Sequence, residues 1–199
     1  MELLSPHCTG WHLDIMDNHF VPNLTWGAPF VNAIARASSK PLWIHLMIDH
    51  PEEFLERLPH HPHSYITVHI ETKSSIPSTL KAIKDSSFKT SIAVNPETPI
   101  EMVFPYLTQA DQILIMSVNP GWSGQSFIKD VVHKIPQLKQ EIHRQKLATS
   151  IAIDGGINHD NIVEIARLGV TQFGIASGIF DTDNPIQALA YLHEIVARK

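Results

Sequence analysis

The 199-residue sequence predicts an α/β fold, a TIM barrel of the (β/α)8 type. Three observations carry that expectation. Short apolar or β-branched runs alternate with helix-like stretches, the mark of parallel strands joined by helical crossovers. The residues able to do chemistry fall at the ends of several different strands, as they do in a barrel. A Rossmann G-x-G-x-x-G after the first strand is absent, and so is a Walker P-loop, which counts against an open nucleotide-binding sheet.

The elements follow in order. The first strand is Trp11–Met16, W-H-L-D-I-M, with a helix expected near 27–37. A second strand over 41–47 leads to Asp49-His50-Pro51-Glu52, where Asp and Pro stand as helix-start signals for 51–58. The third strand covers 65–70 and its helix 75–85. The fourth is Lys89–Val94, after which Asn95-Pro96-Glu97-Thr98-Pro99 opens a helix over 99–108. Strands over 112–118, 149–153 and 171–176 are followed by helices over 127–145, 159–168 and 184–197, the last opened by Asn184-Pro185. The runs are almost continuously apolar, as strands covered by helices should be.

Seven strands are recognisable where a closed barrel has eight, and no counterpart of a first βα unit precedes Trp11. The expectation is therefore a barrel with a gap between its first and last strands, open to another chain. With no linker or composition break, residues 1–199 are expected to form a single domain. His60-His61-Pro62-His63 reads as a solvated loop rather than a metal site.

Composition removes several classes of function. A hydrophobic content of 43% excludes intrinsic disorder, and a formal net charge of -5 excludes nucleic-acid binding through bulk basic charge. The single cysteine, Cys8, cannot form an internal disulfide, which suits a reducing cytoplasm. No apolar run reaches the roughly 20 residues of a membrane span, and the N-terminus lacks a signal-peptide layout. With 13 histidines in the chain, only position can single one out.

Side chains two apart share a strand face, so His12, Asp14 and Met16 point one way in the first strand. His45 and Met47 repeat the pattern in the second. His69 lies in the third with Glu71 beyond it, and Asp154 ends the sixth just before Gly155-Gly156. A His and an Asp facing inward among apolar strands must be paired or metal-bound. Together His12, Asp14, His45 and Asp154 form a two-imidazole, two-carboxylate set that suits Zn²⁺, Fe²⁺, Mn²⁺ or Co²⁺ better than Ca²⁺ or Mg²⁺. The same four residues are open to a second reading, as satisfied polar groups without a metal. Two aspartates also offer the pair of groups that two-base proton transfer needs.

Glycines supply a second constellation at successive strand ends: Asn119-Pro120-Gly121-Trp122-Ser123-Gly124-Gln125, then Gly155-Gly156, then Ala176-Ser177-Gly178. Loops in these places are the usual phosphate cradle of a barrel, because glycine lets backbone N–H groups approach an anion closely. They carry no Lys or Arg, so neutral amides would do the binding.

With these residues in place, the chain resembles the ribulose-phosphate 3-epimerase family from about residue 11 onward. The resemblance rests on H-L-D-I-M-D-N-H-F-V-P-N from His12, H-L-M from His45, I-T-V-H-I-E from Ile66, N-P-E-T-P from Asn95, M-S-V-N-P-G-W-S-G-Q from Met116 and I-D-G-G-I from Ile153. It implies a TIM-barrel carbohydrate isomerase of the pentose phosphate pathway. Such an enzyme interconverts D-ribulose 5-phosphate and D-xylulose 5-phosphate with one divalent metal ion and no organic cofactor. By position, the resemblance makes His12, Asp14, His45 and Asp154 the metal ligands, and Asp14 and Asp154 the acid/base pair. It places His45, Gly121, Trp122, Ser123, Gly124, Gly155, Gly156, Ala176 and Ser177 against the sugar phosphate, and Met16, Met47 and Met116 around the reacting carbons.

This sequence departs from the family pattern at Asn18 (usually Gly), Trp43 (usually polar), Trp122 (usually Phe) and Ala176 (usually Gly), and Ser5 stands in the wrong context to replace the family's early serine. Two alternatives stay open: allulose-6-phosphate 3-epimerase, and a catalytically impaired relative that binds metal or sugar phosphate. Assembly into a homo-oligomer is left open as well.

Overall fold

A computed structural model describes residues 1–198. Seven parallel strands, β1 (Trp11–Met16), β2 (Leu42–Met47), β3 (Tyr65–His69), β4 (Lys89–Val94), β5 (Gln112–Met116), β6 (Ser150–Asp154) and β7 (Gln172–Gly174), pair strictly in sequence order. Helices α1 (Ala28–Ala37), α2 (Pro51–Leu55), α3 (Ile76–Asp85), α4 (Lys134–Arg144), α5 (Ile162–Leu168), α6 (Ser177–Phe180) and α7 (Pro185–Ala197) fall between or after them, with 3-10 stretches at Ile100–Gln109 and Lys129–His133. Among the described residues the ladder does not close, since β1 pairs with β2 and β7 with β6. A groove of about 760 Å³ lies along that opening, lined by Trp11 of β1, Phe173 of β7 and Leu189 of α7 among others.

Alternation along each strand builds two layers. Ile44, Leu46, Ile66, Val68, Ile113, Ile115, Ile151 and Ile153 face the helices and join the large outer core. The opposite face of the same strands supplies Ala93, Leu114, Met116 and Ala152, packed inside the barrel with Trp43. The inner face also carries the chemistry. The β1–β2 register sets Asp14 beside His45, and the β6 register sets Asp154 beside Met116 on one side and Gly174 on the other.

Most expected elements are present, and the differences are local; the helix expected over 51–58, for one, ends at Leu55. The expected helix over 99–108 is 3-10, with Pro105 inside it; a proline removes an N–H and crowds the preceding turn. The stretch 127–145 divides into a 3-10 turn and α4. The seventh strand, expected over 171–176, keeps only three ladder residues, because β6 ends at Asp154 and Gly155 turns away at φ 114°. Ser177, expected in a loop, opens the short helix α6. His61, expected in a solvated loop, is buried, with its ring nitrogens 3.0 Å from Ser64 Oγ and 3.0 Å from the Ser38 carbonyl. Asn18 has φ 60°, the left-handed backbone that the usual glycine would also supply. No described helix is long and apolar enough to cross a membrane.

Candidate active site and metal centre

Three strands bring His12, Asp14, His45 and Asp154 together: the first three lie within β1 and β2, and Asp154 ends β6. His12 Nε2 lies 3.0 Å from Asp14 Oδ1 and 3.7 Å from Asp154 Oδ2, while His45 Nδ1 lies 2.9 Å from the same Asp14 oxygen. One ligand atom from each of the four falls within 4.8 Å of the others. Two imidazole nitrogens and two carboxylate oxygens so gathered fit a borderline divalent ion of the Zn²⁺ or Fe²⁺ kind.

The four groups set one another's charge. Burial works against protonated His12, but the Asp14 and Asp154 carboxylates outweigh it and raise it to about 9. Burial also works to raise Asp14, and the His12 and His45 imidazoles overcome this and hold its carboxyl well below the usual range. Asp154 goes the other way, pushed up by burial and by the charge of Asp14. His45 is pushed down, chiefly by burial and also by His69 and His12. Two carboxylates displaced in opposite directions are what an acid/base pair requires, one ready to accept a proton and the other able to carry one.

Behind His45 runs a chain of polar groups. Its Nε2 is 2.8 Å from His69 Nε2, and the two ring planes are inclined by 25°. His69 Nδ1 is 3.2 Å from Glu71 Oε2, and Glu71 Oε1 accepts the Asn95 backbone N–H at 2.9 Å. Lys134, almost fully buried, donates to the carbonyls of Asn95, Pro96 and Thr98 at 2.7, 2.7 and 2.8 Å, bracing the loop that holds Glu71. On the other side, His12 packs edge-on against Trp43 with ring centroids 4.5 Å apart, and its Nδ1 is buried without a partner.

Above the cluster opens a cavity of about 380 Å³. Its lining includes His12, Asp14, Asp154, Gly121, Trp122, Ser123, Gly124, Gly155, Gly156, Ala176 and Ser177, together with Met16, Met47 and Met116. The structure therefore gathers the expected metal, acid/base and sugar-phosphate residues around one space. His45 is the exception, buried at its floor. Trp122 stands out from the loop, 61% exposed. At two glycines a side chain has no place: a Cβ on Gly155 would sit 2.5 Å from Val118 Cγ2, and one on Gly156 would sit 2.6 Å from the Phe127 backbone nitrogen. Both also have positive φ, 114° and 63°.

Sequence reasoning passed over the residues that hold these loops. Thr25 Oγ1 donates to the Asp14 carbonyl at 2.7 Å and accepts the Met16 N–H at 3.0 Å. Asn23 Nδ2 donates to the Gly121 carbonyl at 2.7 Å, tying the loop after β1 to the one after β5. Ser117 Oγ lies 2.8 and 2.7 Å from the carbonyls of Asp154 and Gly155. Asn23 and Ser117 fall inside the quoted motifs, but their bonds join strands distant in sequence and no spacing reveals them.

The model of the ribulose-phosphate 3-epimerase family matches residues 3–180. The ribulose-phosphate 3-epimerase of Aquifex aeolicus is 40% identical over 169 residues, 85% of this chain and 76% of that protein. The one from Mycobacterium bovis is 36% identical over 181 residues, covering 91% of this chain and 79% of its own length. Among solved structures, the orotidine 5'-phosphate decarboxylase of Pyrococcus horikoshii superposes with a TM-score of 0.69 at 9% identity, over 98% of this chain and 90% of that one. At that identity the likeness concerns the barrel fold alone.

Proposed function

The chain belongs to the ribulose-phosphate 3-epimerase family, and from that premise we propose that it interconverts D-ribulose 5-phosphate and D-xylulose 5-phosphate by proton transfer at C3. The observation that carries the reading is the convergence of His12, Asp14, His45 and Asp154 at the floor of a cavity rimmed by the glycine loops.

The chain's own groups account for the chemistry as follows. Inverting C3 beside a C2 ketone takes a proton from one face and returns one to the other. Asp14 and Asp154, on strands β1 and β6, serve as the base and the acid, and exchange roles in the reverse direction. When bound by His12, Asp14, His45 and Asp154, a divalent ion supplies positive charge beside the ketone oxygen, where negative charge develops. Backbone N–H groups of the loops at Gly121–Ser123–Gly124, Gly155–Gly156 and Ser177 take the phosphate, since no described residue lining the cavity is Lys or Arg. Met16, Met47 and Met116 form an apolar wall near the carboxylates, which keeps water from competing for the proton.

The test is an epimerisation assay on metal-reconstituted protein in deuterated water. The expected result is turnover with deuterium incorporated at C3 of the product. A D-allulose 6-phosphate arm separates the pentose reading from the hexose one. Absence of turnover on the pentose phosphates with any of the four metals would refute the proposal.

A further inference from the structure

Glu71 touches neither the four-residue cluster nor the cavity above it, yet it ends an unbroken line of close polar contacts that starts at Asp14. We propose that Glu71 and His69 are positioning residues that fix which nitrogen of His45 is bare, and so set how tightly the cluster holds a divalent metal. This inference rests on the metal reading above and adds to it a dependence on residues outside the ligand set.

Three links run along the line: Asp14 to His45 Nδ1 at 2.9 Å, His45 Nε2 to His69 Nε2 at 2.8 Å, and His69 Nδ1 to Glu71 at 3.2 Å. With one hydrogen on each ring, the two imidazoles bring two hydrogens to three links. Glu71 is an ionised carboxylate: burial works to raise it, and bonds from His69, Thr98 and the Asn95 N–H more than offset that. An ionised carboxylate only accepts, so His69 carries its hydrogen on Nδ1. Its Nε2 is then a lone pair and takes the hydrogen of His45 Nε2. His45 Nδ1 is left bare, facing the carboxylate oxygen of Asp14. Two acceptors at that distance are joined by a cation, and this is the place where the other ligands converge.

Free imidazole side chains favour the hydrogen on Nε2. Left to itself, His69 would present an N–H to the N–H of His45. Glu71 prevents this by drawing the His69 hydrogen to Nδ1. The ring has little freedom to escape, being 1% exposed and packed against Phe20 with centroids 4.7 Å apart. Glu71 is itself held by the Asn95 N–H in the loop that Lys134 braces. Outer partners of metal-bound histidines commonly act this way.

The Asn95 N–H makes Glu71→Gln a directional test. It requires an oxygen at the position of Oε1, so a glutamine there must turn its NH₂ toward His69 Nδ1. Both imidazoles then reverse, and His45 points N–H at the metal position. Cobalt affinity of the full chain, measured by competition with a chromogenic chelator, should weaken about 10- to 100-fold in Glu71→Gln with the secondary structure unchanged. The wild-type protein supplies a readout that depends on no variant. Long-range ¹⁵N NMR of its zinc form should show His69 hydrogenated at Nδ1 and His45 at Nε2.

Cobalt affinity within twofold of wild type in Glu71→Gln overturns the proposal, as does a wild-type His69 hydrogenated at Nε2. A wild-type chain that binds no cobalt overturns the metal reading, and this inference with it. Metal bound by wild type, lost in His45→Ala and unchanged in Glu71→Gln would overturn the inference alone.

Discussion

His12 and His45 occupy neighbouring strands, face the same cavity floor and contact the same oxygen of Asp14, but they are held by different forces. His45 has a partner on each ring nitrogen and a polar line behind it reaching Glu71 and the loop clasped by Lys134. His12 has carboxylates on one nitrogen only; the other is buried and unpaired, and the ring is kept in place by the edge-on contact with Trp43. A buried donor or acceptor without a partner costs about 1–3 kcal/mol. That cost falls on the strand at the open side of the barrel, where His12 borders both the cavity and the groove toward β7. One side of the site is therefore set by directional bonds and the other by packing.

The largest effect that would break this contrast is at the aspartates. Asp14 touches both histidines and Asp154 only His12. Asp14→Asn and Asp154→Asn should each lower epimerisation by about 10²–10⁴-fold, because each removes one partner in proton transfer. Metal content, measured on the same samples, should fall further in Asp14→Asn, which disturbs both sides. Equal metal loss in the two variants would show that the His45 side is no better held than the other, and full turnover in either would end the two-base scheme.

The next effect isolates the packed side without replacing a polar group. Gly174 on β7 lies beside Asp154, and a Cβ there would come within 2.4 Å of Asp154 Oδ1. The backbone accepts alanine, so the side chain of Asp154 must yield. Misplacing a catalytic group by about 1 Å costs on the order of 10²-fold in rate, and Gly174→Ala should show that loss in kcat while its circular dichroism and unfolding midpoint stay close to wild type. Unchanged kcat would mean that Asp154 has room to move and that its position is not held by β7.

The two sides also differ in how far the sequence reveals them. The strands were legible because almost continuous β-branched runs have few other places in an α/β fold, and the four candidate ligand residues because i, i+2 spacing and a strand tip locate them without further information. The line behind His45 was only half legible. His69 ends the third strand and Glu71 stands two residues on, but the register sets His45 beside Thr67, so the meeting of His45 with His69 depends on how the strands stagger. Lys134 lies far along the chain from Asn95 and no local pattern links them. The orphaned nitrogen of His12 and the shortness of β7 depend on what neighbouring strands leave unpaired, which spacing does not encode. His61 misled for a related reason: a histidine among prolines reads as solvated until Ser38 and Ser64 are brought to its ring.

The smallest effect concerns the joint between the two strands that carry the histidines. Asp17, just past β1, accepts the N–H groups of His19 and Phe20 on Oδ1 at 2.8 and 2.9 Å and that of Asp49, just past β2, on Oδ2 at 2.9 Å. Burial works to raise this carboxyl, but the three N–H groups outweigh it and hold it below its usual value. A group whose pKa is lowered by folding stabilises the fold above its unfolded value, near 3.9 for Asp, and loses that contribution as pH falls through the folded value. Asp17→Asn keeps the shape and one acceptor, but turns an NH₂ toward the Asp49 N–H. Because the side chain is 26% exposed, water relieves part of the mismatch, and the cost at pH 7 should be about 1–2 kcal/mol. Urea midpoints of the two proteins should therefore differ at pH 7 and converge as the pH is lowered below about 4. Metal affinity should change little, since Asp17 hydrogen-bonds to none of the four candidate ligand residues. A gap that widens in acid would reverse the sign argued for Asp17, and a large loss of metal would show that the β1–β2 joint, rather than the packing of Trp43, positions His12.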